Sequence, residues 1–171
     1  MKLFLAFFTS LLLCACTNLW LPQEVSSDRW RLKGKMSVRS LQVNFSAFID
    51  WSYNKNYFRL LVSNPLGLPI AALEGNEELI KVTLPSKRTE LVSSENLHRH
   101  IGYHLPLNHF PFWVRGFPNP DYDFVGNDVS FDQDGWRIRY SQIQDSLPRK
   151  IRLQKEDLIL TLFIKSWVTS L

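Results

Sequence analysis

From Trp30 onward, apolar and polar residues alternate with a period of two, the pattern of strands with one buried face. Leu32, Gly34, Met36 and Val38 fall on one face of the first stretch, and Arg31, Lys33, Lys35, Ser37 and Arg39 on the other. The second stretch sets Val43, Phe45, Ala47, Ile49, Trp51 and Tyr53 against Asn44, Ser46 and Asp50. A turn at Asn54-Lys55-Asn56 leads to a third, with Phe58, Leu60 and Val62 on one side. Further strands are predicted over 70–74, 79–84, 89–92, 121–125, 129–132, 136–141, 149–154 and 158–167. Strands that follow one another through short turns imply an antiparallel meander, which must curl or close to protect its edges. Two short helices interrupt it. One is predicted over 95–101, capped by Ser94 and stopped by Gly102; the other covers 107–115 and ends at Gly116, with Pro111 shortening it. The pattern is that of a curved barrel partly plugged by helices, either filled by its own side chains or enclosing an apolar cavity.

The chain has 171 residues, 45% hydrophobic and 13% aromatic, enough for one domain with a core of its own and too apolar for intrinsic disorder. A net charge of +4 is spread thinly, which suits an anionic lipid surface or an acidic partner and does not single out nucleic acid. The N-terminus changes the picture more. Lys2 precedes an apolar run from Leu3 to Leu13, too short to span a membrane and of the length of a signal peptide. Leu13-Cys14-Ala15-Cys16 resembles a bacterial lipobox, in which Cys16 takes a diacylglycerol on sulfur, the leader 1–15 is cut away and the new amine is acylated. An ordinary secretory leader cut near Ala15, or lipidation of Cys14 instead, are the alternatives. With Cys16 acylated, the mature chain has no second cysteine for a disulfide. Acyl chains on one residue hold a protein on a bilayer stably once there are two or more, at ~0.8 kcal/mol per buried methylene. Thr17, where an Asp would retain a lipoprotein at the inner membrane, directs the expectation to the outer membrane of a Gram-negative cell, facing the periplasm. Residues 16–28 then read as anchor and tether, and 29–171 as the folded domain.

Several segments, in order, resemble the outer-membrane lipoprotein receptor family LolB. They are Trp30-Arg31-Leu32-Lys33-Gly34-Lys35-Met36-Ser37-Val38, the stretch Val43 to Trp51, and Tyr57-Phe58-Arg59-Leu60-Leu61-Val62-Ser63-Asn64-Pro65-Leu66-Gly67. Gly102 to Pro106, Trp113-Val114-Arg115-Gly116 with Pro118, Gly135-Trp136-Arg137-Ile138-Arg139-Tyr140, Leu147-Pro148 and Trp167 continue the series. No single piece is as specific as a metal-ligand motif; the ordered series carries the resemblance. It implies a mainly β fold, a curved, unclosed antiparallel barrel of about eleven strands, capped by short α-helices over an apolar cavity. It also implies a function: a receptor that accepts lipoproteins from a LolA-like periplasmic carrier by their acyl chains and inserts them into the inner leaflet. The expected partners are that carrier, cargo lipoproteins and outer-membrane phospholipid, with no nucleic acid, and the protein is expected to act as a monomer. The competing reading is a structural or accessory lipoprotein of another outer-membrane assembly, with a filled barrel.

Within this frame Met36, Phe45, Ile49, Trp51, Tyr53, Leu60, Val62, Phe110, Trp113 and Trp136 are the candidate cavity lining, although each taken singly could equally be core. Asn64-Pro65-Leu66-Gly67, followed by Leu68-Pro69, is a tight protruding turn. The resemblance makes Leu66, with Leu68 beside it, a membrane-contacting loop needed for release of cargo. Arg29, Lys33, Lys35, Arg39 and Arg59 read as solvated surface, or as a docking site for the carrier. His98, His100, His104 and His109 cluster in the sequence without the spacing of a zinc site, and no metal is expected there. No phosphate-binding glycine loop or nucleophile elbow occurs, and Asp121, Asp123, Asp128, Asp132 and Asp134 sit in turn-like sequence. No catalysis is expected, and no cofactor beyond the covalent lipid on Cys16.

Overall fold

The computed structural model describes residues 29–86 and 88–169; the leader and tether read in 1–28, with Cys16, lie outside the described residues. Eleven strands follow one another: β1 (Arg29–Arg39), β2 (Asn44–Asn54), β3 (Tyr57–Ser63), β4 (Pro69–Gly75), β5 (Leu79–Thr83), β6 (Thr89–Ser93), β7 (Phe124–Asn127), β8 (Ser130–Gln133), β9 (Trp136–Gln144), β10 (Leu147–Lys155) and β11 (Leu158–Val168). Between β6 and β7 lie a 3-10 turn (Ser94–Asn96) and two single-turn helices, α1 (His98–Ile101) and α2 (Phe110–Trp113). All strands belong to one antiparallel sheet in the order β6-β5-β4-β3-β2-β1-β11-β10-β9-β8-β7. The first and last strands therefore pair in the middle of the sheet, and the two edges, β6 and β7, are the strands that the helical segment joins. The two edges do not pair with each other, so the barrel is unclosed, as expected.

Alternation in the sequence becomes an inside and an outside. Leu32, Val38, Ala47, Ile49, Trp51, Phe58 and Val62 are buried on the inner face, joined by Ile138, Ile151, Leu153, Leu160, Leu162 and Ile164 from the other half. The basic residues between them face out, where Arg31 pairs with Asp50 (2.6 Å) and Arg59 with Glu74 (3.0 Å). Arg31 beside Asp50 holds that carboxyl below the usual carboxylate range. Register is fixed at the turns. Lys55-Asn56 and Asp145-Ser146 each place two successive residues in the left-handed region, the backbone that matches strand twist in a two-residue hairpin.

Three local expectations give way to tertiary contacts. Residues 121–123 form a turn and β7 starts only at Phe124, because the Asp121 N–H donates to Asn119 Oδ1 and the Tyr122 carbonyl accepts from Gln133. The segment 95–101 divides into the 3-10 turn and α1, and Ser94 is not a cap; Ser93 precedes the turn and its hydroxyl accepts from Asn96 Nδ2 instead. Gly102, at φ 85°, does end α1, its N–H donating to the His98 carbonyl. The helix predicted over 107–115 shrinks to four residues: Pro111, which has no N–H to donate, is tolerated only in a first turn, so the helix begins at Phe110.

Where β1 meets β11 the register slips between Lys33 and Gly34. A Cβ on Gly34 would lie 2.1 Å from the Phe163 carbonyl oxygen, a backbone atom that cannot rotate away. Gly34→Ala is expected to lower the unfolding free energy by about 1–3 kcal/mol, the cost of overpacking. A urea midpoint unchanged from the parent chain would contradict this reading of the central strand pair.

Candidate functional site

The concave face of the sheet is covered by the segment between β6 and β7, and the fit is incomplete. An apolar cavity of about 230 Å³ remains, lined by strands β1 to β5, by β10 and β11, and by residues 100–110 of the cover. Its only polar groups come from His100 and Tyr103 and from Trp51, whose Nε1 is buried without a partner. Burial pushes the Tyr103 hydroxyl up to about 12, so it stays neutral at any physiological pH. A cavity of ~150 Å³ with apolar walls stays dry and takes up benzene. The one here therefore has room for a stretch of hydrocarbon, and needs to widen for more than one chain.

Seven of the ten residues read as lining meet in this cavity: Met36, Phe45, Ile49, Trp51, Leu60, Val62 and Phe110. Three do not. Tyr53 stacks on Trp30 (centroids 5.5 Å apart, 13° between planes), in a cluster with Trp51 and Trp167 that fills one end of the barrel. Trp113 is fully buried behind Phe110, its ring edge-on to that of Phe110. Trp136 lies beyond Trp113 and faces a separate, more polar cleft with His104, Asp134 and Lys155. Residues that were not anticipated extend the wall, among them Leu73, Val82 and Leu84 from β4, β5 and the turn that follows, and Tyr103, Leu105 and Leu107 from the irregular cover. Leu73 and Val82 sit at inward positions of alternating strands and were readable; the cover has no periodicity to read.

The cover is pinned at its ends. At one end the Ser94 N–H donates to the Glu78 carbonyl. At the other, the buried Gln133 uses both halves of its amide. Oε1 accepts from Trp113 Nε1 (2.7 Å) and the Asn119 N–H (2.9 Å), and Nε2 donates to the carbonyls of Asn119 (2.8 Å) and Tyr122 (2.9 Å). The Tyr140 hydroxyl donates to the Trp113 carbonyl, and its burial raises its pKa well above the usual 10. Between these ends, no backbone hydrogen bond among the described residues ties 98–111 to the sheet. Apolar side chains hold 98–107 there, with the His100–Glu90 contact (3.5 Å) at the edge strand, while Asn108 and His109 make polar contacts with Asn119, Tyr122 and Asp134.

The four histidines separate. His98 and His104 stack on each other (4.1 Å), His100 faces Glu90, and His109 is fully buried, flat against Trp113 (4.7 Å) with Asp134 Oδ2 3.5 Å from its Nε2. Among the described residues no three of His, Cys, Asp and Glu converge as metal ligands would.

The turn at residues 64–68 projects its leucines outward, Leu66 being 84% and Leu68 59% exposed. Asn64 builds it: its side-chain oxygen accepts the N–H groups of Leu66 and Leu68, and its carbonyl accepts that of Gly67, which sits at φ 83° with open space around it. This turn lies at the end of the sheet reached by Phe45, Ile70 and Leu84 of the cavity wall. Leu84 is itself 41% exposed, so the cavity meets solvent at that end.

An unclosed barrel, a pinned but loosely held cover and an apolar void between them define a receptacle for an apolar ligand. The family model described as Outer membrane lipoprotein LolB matches residues 28–167, and the chain belongs to that family. The Outer-membrane lipoprotein LolB of Pseudomonas fluorescens is 33% identical over 158 residues, covering 85% of this chain and 77% of its own. That of Stutzerimonas stutzeri is 34% identical over 152 residues, covering 82% and 74%. The crystal structure of LolA superfamily protein NE2245 from Nitrosomonas europaea, 11% identical, superposes with a TM-score of 0.49 over 83% of this chain and 86% of that one.

Burial lowers the His109 pKa below its ordinary 6.5, outweighing the opposite pull of Asp134. The unfolded chain takes up a proton near pH 6.5 and the folded chain resists it. Stability from this residue is therefore complete above pH 6.5 and declines as pH falls toward the depressed folded value. Denaturant titrations at pH 7.5 and 5.5 are expected to show that decline, and His109→Gln to flatten it. An equal pH slope in the variant would contradict the assignment.

Proposed function

We propose that this protein is the outer-membrane receptor for lipoproteins arriving on a LolA-like periplasmic carrier. It takes their acyl chains into the cavity between sheet and cover and releases them into the inner leaflet. Membership of the LolB family supports this reading, and the observation that carries it is the apolar cavity meeting solvent at the end of the sheet where Leu66 and Leu68 project. A filled barrel, which the accessory reading requires, would leave no such void. The protein acts by binding alone, as a monomer, held on the membrane by the lipid on Cys16 and facing the periplasm.

Transfer needs no energy source if each site holds the chains more tightly than the one before. A preference of 1.4 kcal/mol biases one handover tenfold, and the bilayer must win the last. A cavity that is small when empty meets that condition: widening it for a chain separates the cover from the sheet, and that lost packing is recovered on release. Leu66 assists the final step. One leucine contributes only ~1.5–3 kcal/mol on burial, too little to anchor the chain and enough to bring the cavity mouth transiently to the headgroups.

Leu66→Glu is expected to fold as the parent does, to accept a radiolabelled lipoprotein from its carrier, and to fail in passing it to liposomes. Normal delivery by the folded, acylated variant would remove Leu66 from the mechanism. Failure of the parent protein to accept cargo would contradict the receptor reading itself.

A further inference from the structure

The turn at residues 64–68 is not alone on its end of the sheet. Following the strand directions, the β1–β2, β3–β4 and β5–β6 turns all lie at one end, and β2–β3 and β4–β5 at the other. At the far end the turns carry Lys55 and Asn56, and Asn76, Glu77 and Glu78. At the near end each turn carries an exposed leucine: Leu41 at 93%, Leu66 at 84% and Leu84 at 41%. Single exposed leucines are ordinary on a protein surface; here all three near-end turns of this half of the sheet carry one, whereas at the far end the exposed Leu79 (50%) opens β5 beside its turn and not within it.

Leu41 shares a second property with Leu66. A turn tip that reaches the hydrocarbon of a bilayer loses water, and a backbone N–H left without a partner there costs several kcal/mol. The Leu41 turn leaves none. The Leu41 N–H donates to Asp157 Oδ2 (3.0 Å), those of Gln42 and Val43 to Ser40 Oγ (3.2 and 3.0 Å), and that of Ser40 to the Val43 carbonyl (2.7 Å). Ser40, together with Asp157 from the β10–β11 turn, thus does for Leu41 what Asn64 does for Leu66: the donors of the turn are taken up and the leucine is left at the tip. The two tips are two interstrand spacings apart across the sheet, ~10 Å. β2 runs four residues past its pairing with the end of β3, Phe48 facing Ser63. Strands in a curled sheet tilt against the barrel axis, and tilt produces such a stagger along a common rim.

We propose that Leu41 is a second point of membrane contact, so that the protein meets the bilayer through a rim of two apolar turns flanking the cavity mouth. Two points fix the angle of approach, which one cannot, and keep the mouth facing the leaflet while cargo leaves. The inference rests on the membrane-delivery reading of Leu66 and adds an occupant for a turn that reading does not use.

The test is photo-cross-linking on the full chain, reconstituted in vesicles of phosphatidylethanolamine and phosphatidylglycerol with a radiolabelled phospholipid as the probe. p-Benzoylphenylalanine is placed at Leu41, at Leu66 or, as the far-end control, at Asn56, and retained melting temperature confirms folding. Lipid adducts at positions 41 and 66 about tenfold above those at 56, the ratio that 1.4 kcal/mol of preference gives, are expected. Adducts at 66 with 41 no higher than 56 would overturn the inference and leave the receptor function standing. Adducts at 41 without 66, or equal labelling at all three, would overturn the shared rim. Labelling of neither leucine above the control would overturn both the rim and the membrane role of Leu66.

Discussion

The cavity depends on the side-chain amide that pins one end of its cover. Gln133, at the end of β8, satisfies all four of its buried hydrogen bonds on a segment that belongs to no strand, from Trp113 to Tyr122. The net gain per bond is about 1 kcal/mol, but each buried donor or acceptor left without its partner costs ~1–3 kcal/mol. The node is therefore far harder to break piecemeal than its bond energies imply. It sets α2 against β8 and β9, which places Phe110 over the void and leaves the stretch 98–107 on apolar contacts and the single His100–Glu90 contact. Tethered ends and a loosely held middle let the roof lift without losing its place.

The open sheet complements that arrangement. A closed barrel fixes its interior volume by the ladder that seals it, whereas here β6 and β7 stay apart and only the cover bridges them. The aromatic cluster of Trp30, Trp51, Tyr53 and Trp167 fills the other end of the interior. The exposed leucines of the 64–68 turn thus lie at the end opposite that aromatic packing.

The strands and their order were largely legible because a half-buried strand writes its two faces into the sequence, as Leu32, Met36 and Val38 against Lys33, Lys35 and Arg39 illustrate. The Leu66 turn was legible too, since Asn, Pro and Gly at those spacings dictate a protruding turn. Legibility failed where a long-range contact decides. Nothing near Asp121 announces that Gln133 will take the Tyr122 carbonyl and delay β7. Nor can alternation say what an inward aromatic ring will meet. Trp51 borders the void, while Trp113 and Trp136 are covered by other rings, and all three read alike in the sequence. Tyr103 and Leu105 escaped because an irregular cover has no period, and Leu41 because its isolation in a polar turn gives no pattern at all.

The central claim is that acyl chains lie between the sheet and its cover. Isotope-filtered NMR on the complex with a 13C-acylated lipoprotein reads that location directly. The account predicts contacts from the acyl methylenes to Met36, Leu60, Ile101 and Leu160 on the cavity wall. Contacts confined to exposed residues of the outer face, such as Phe163, would contradict it.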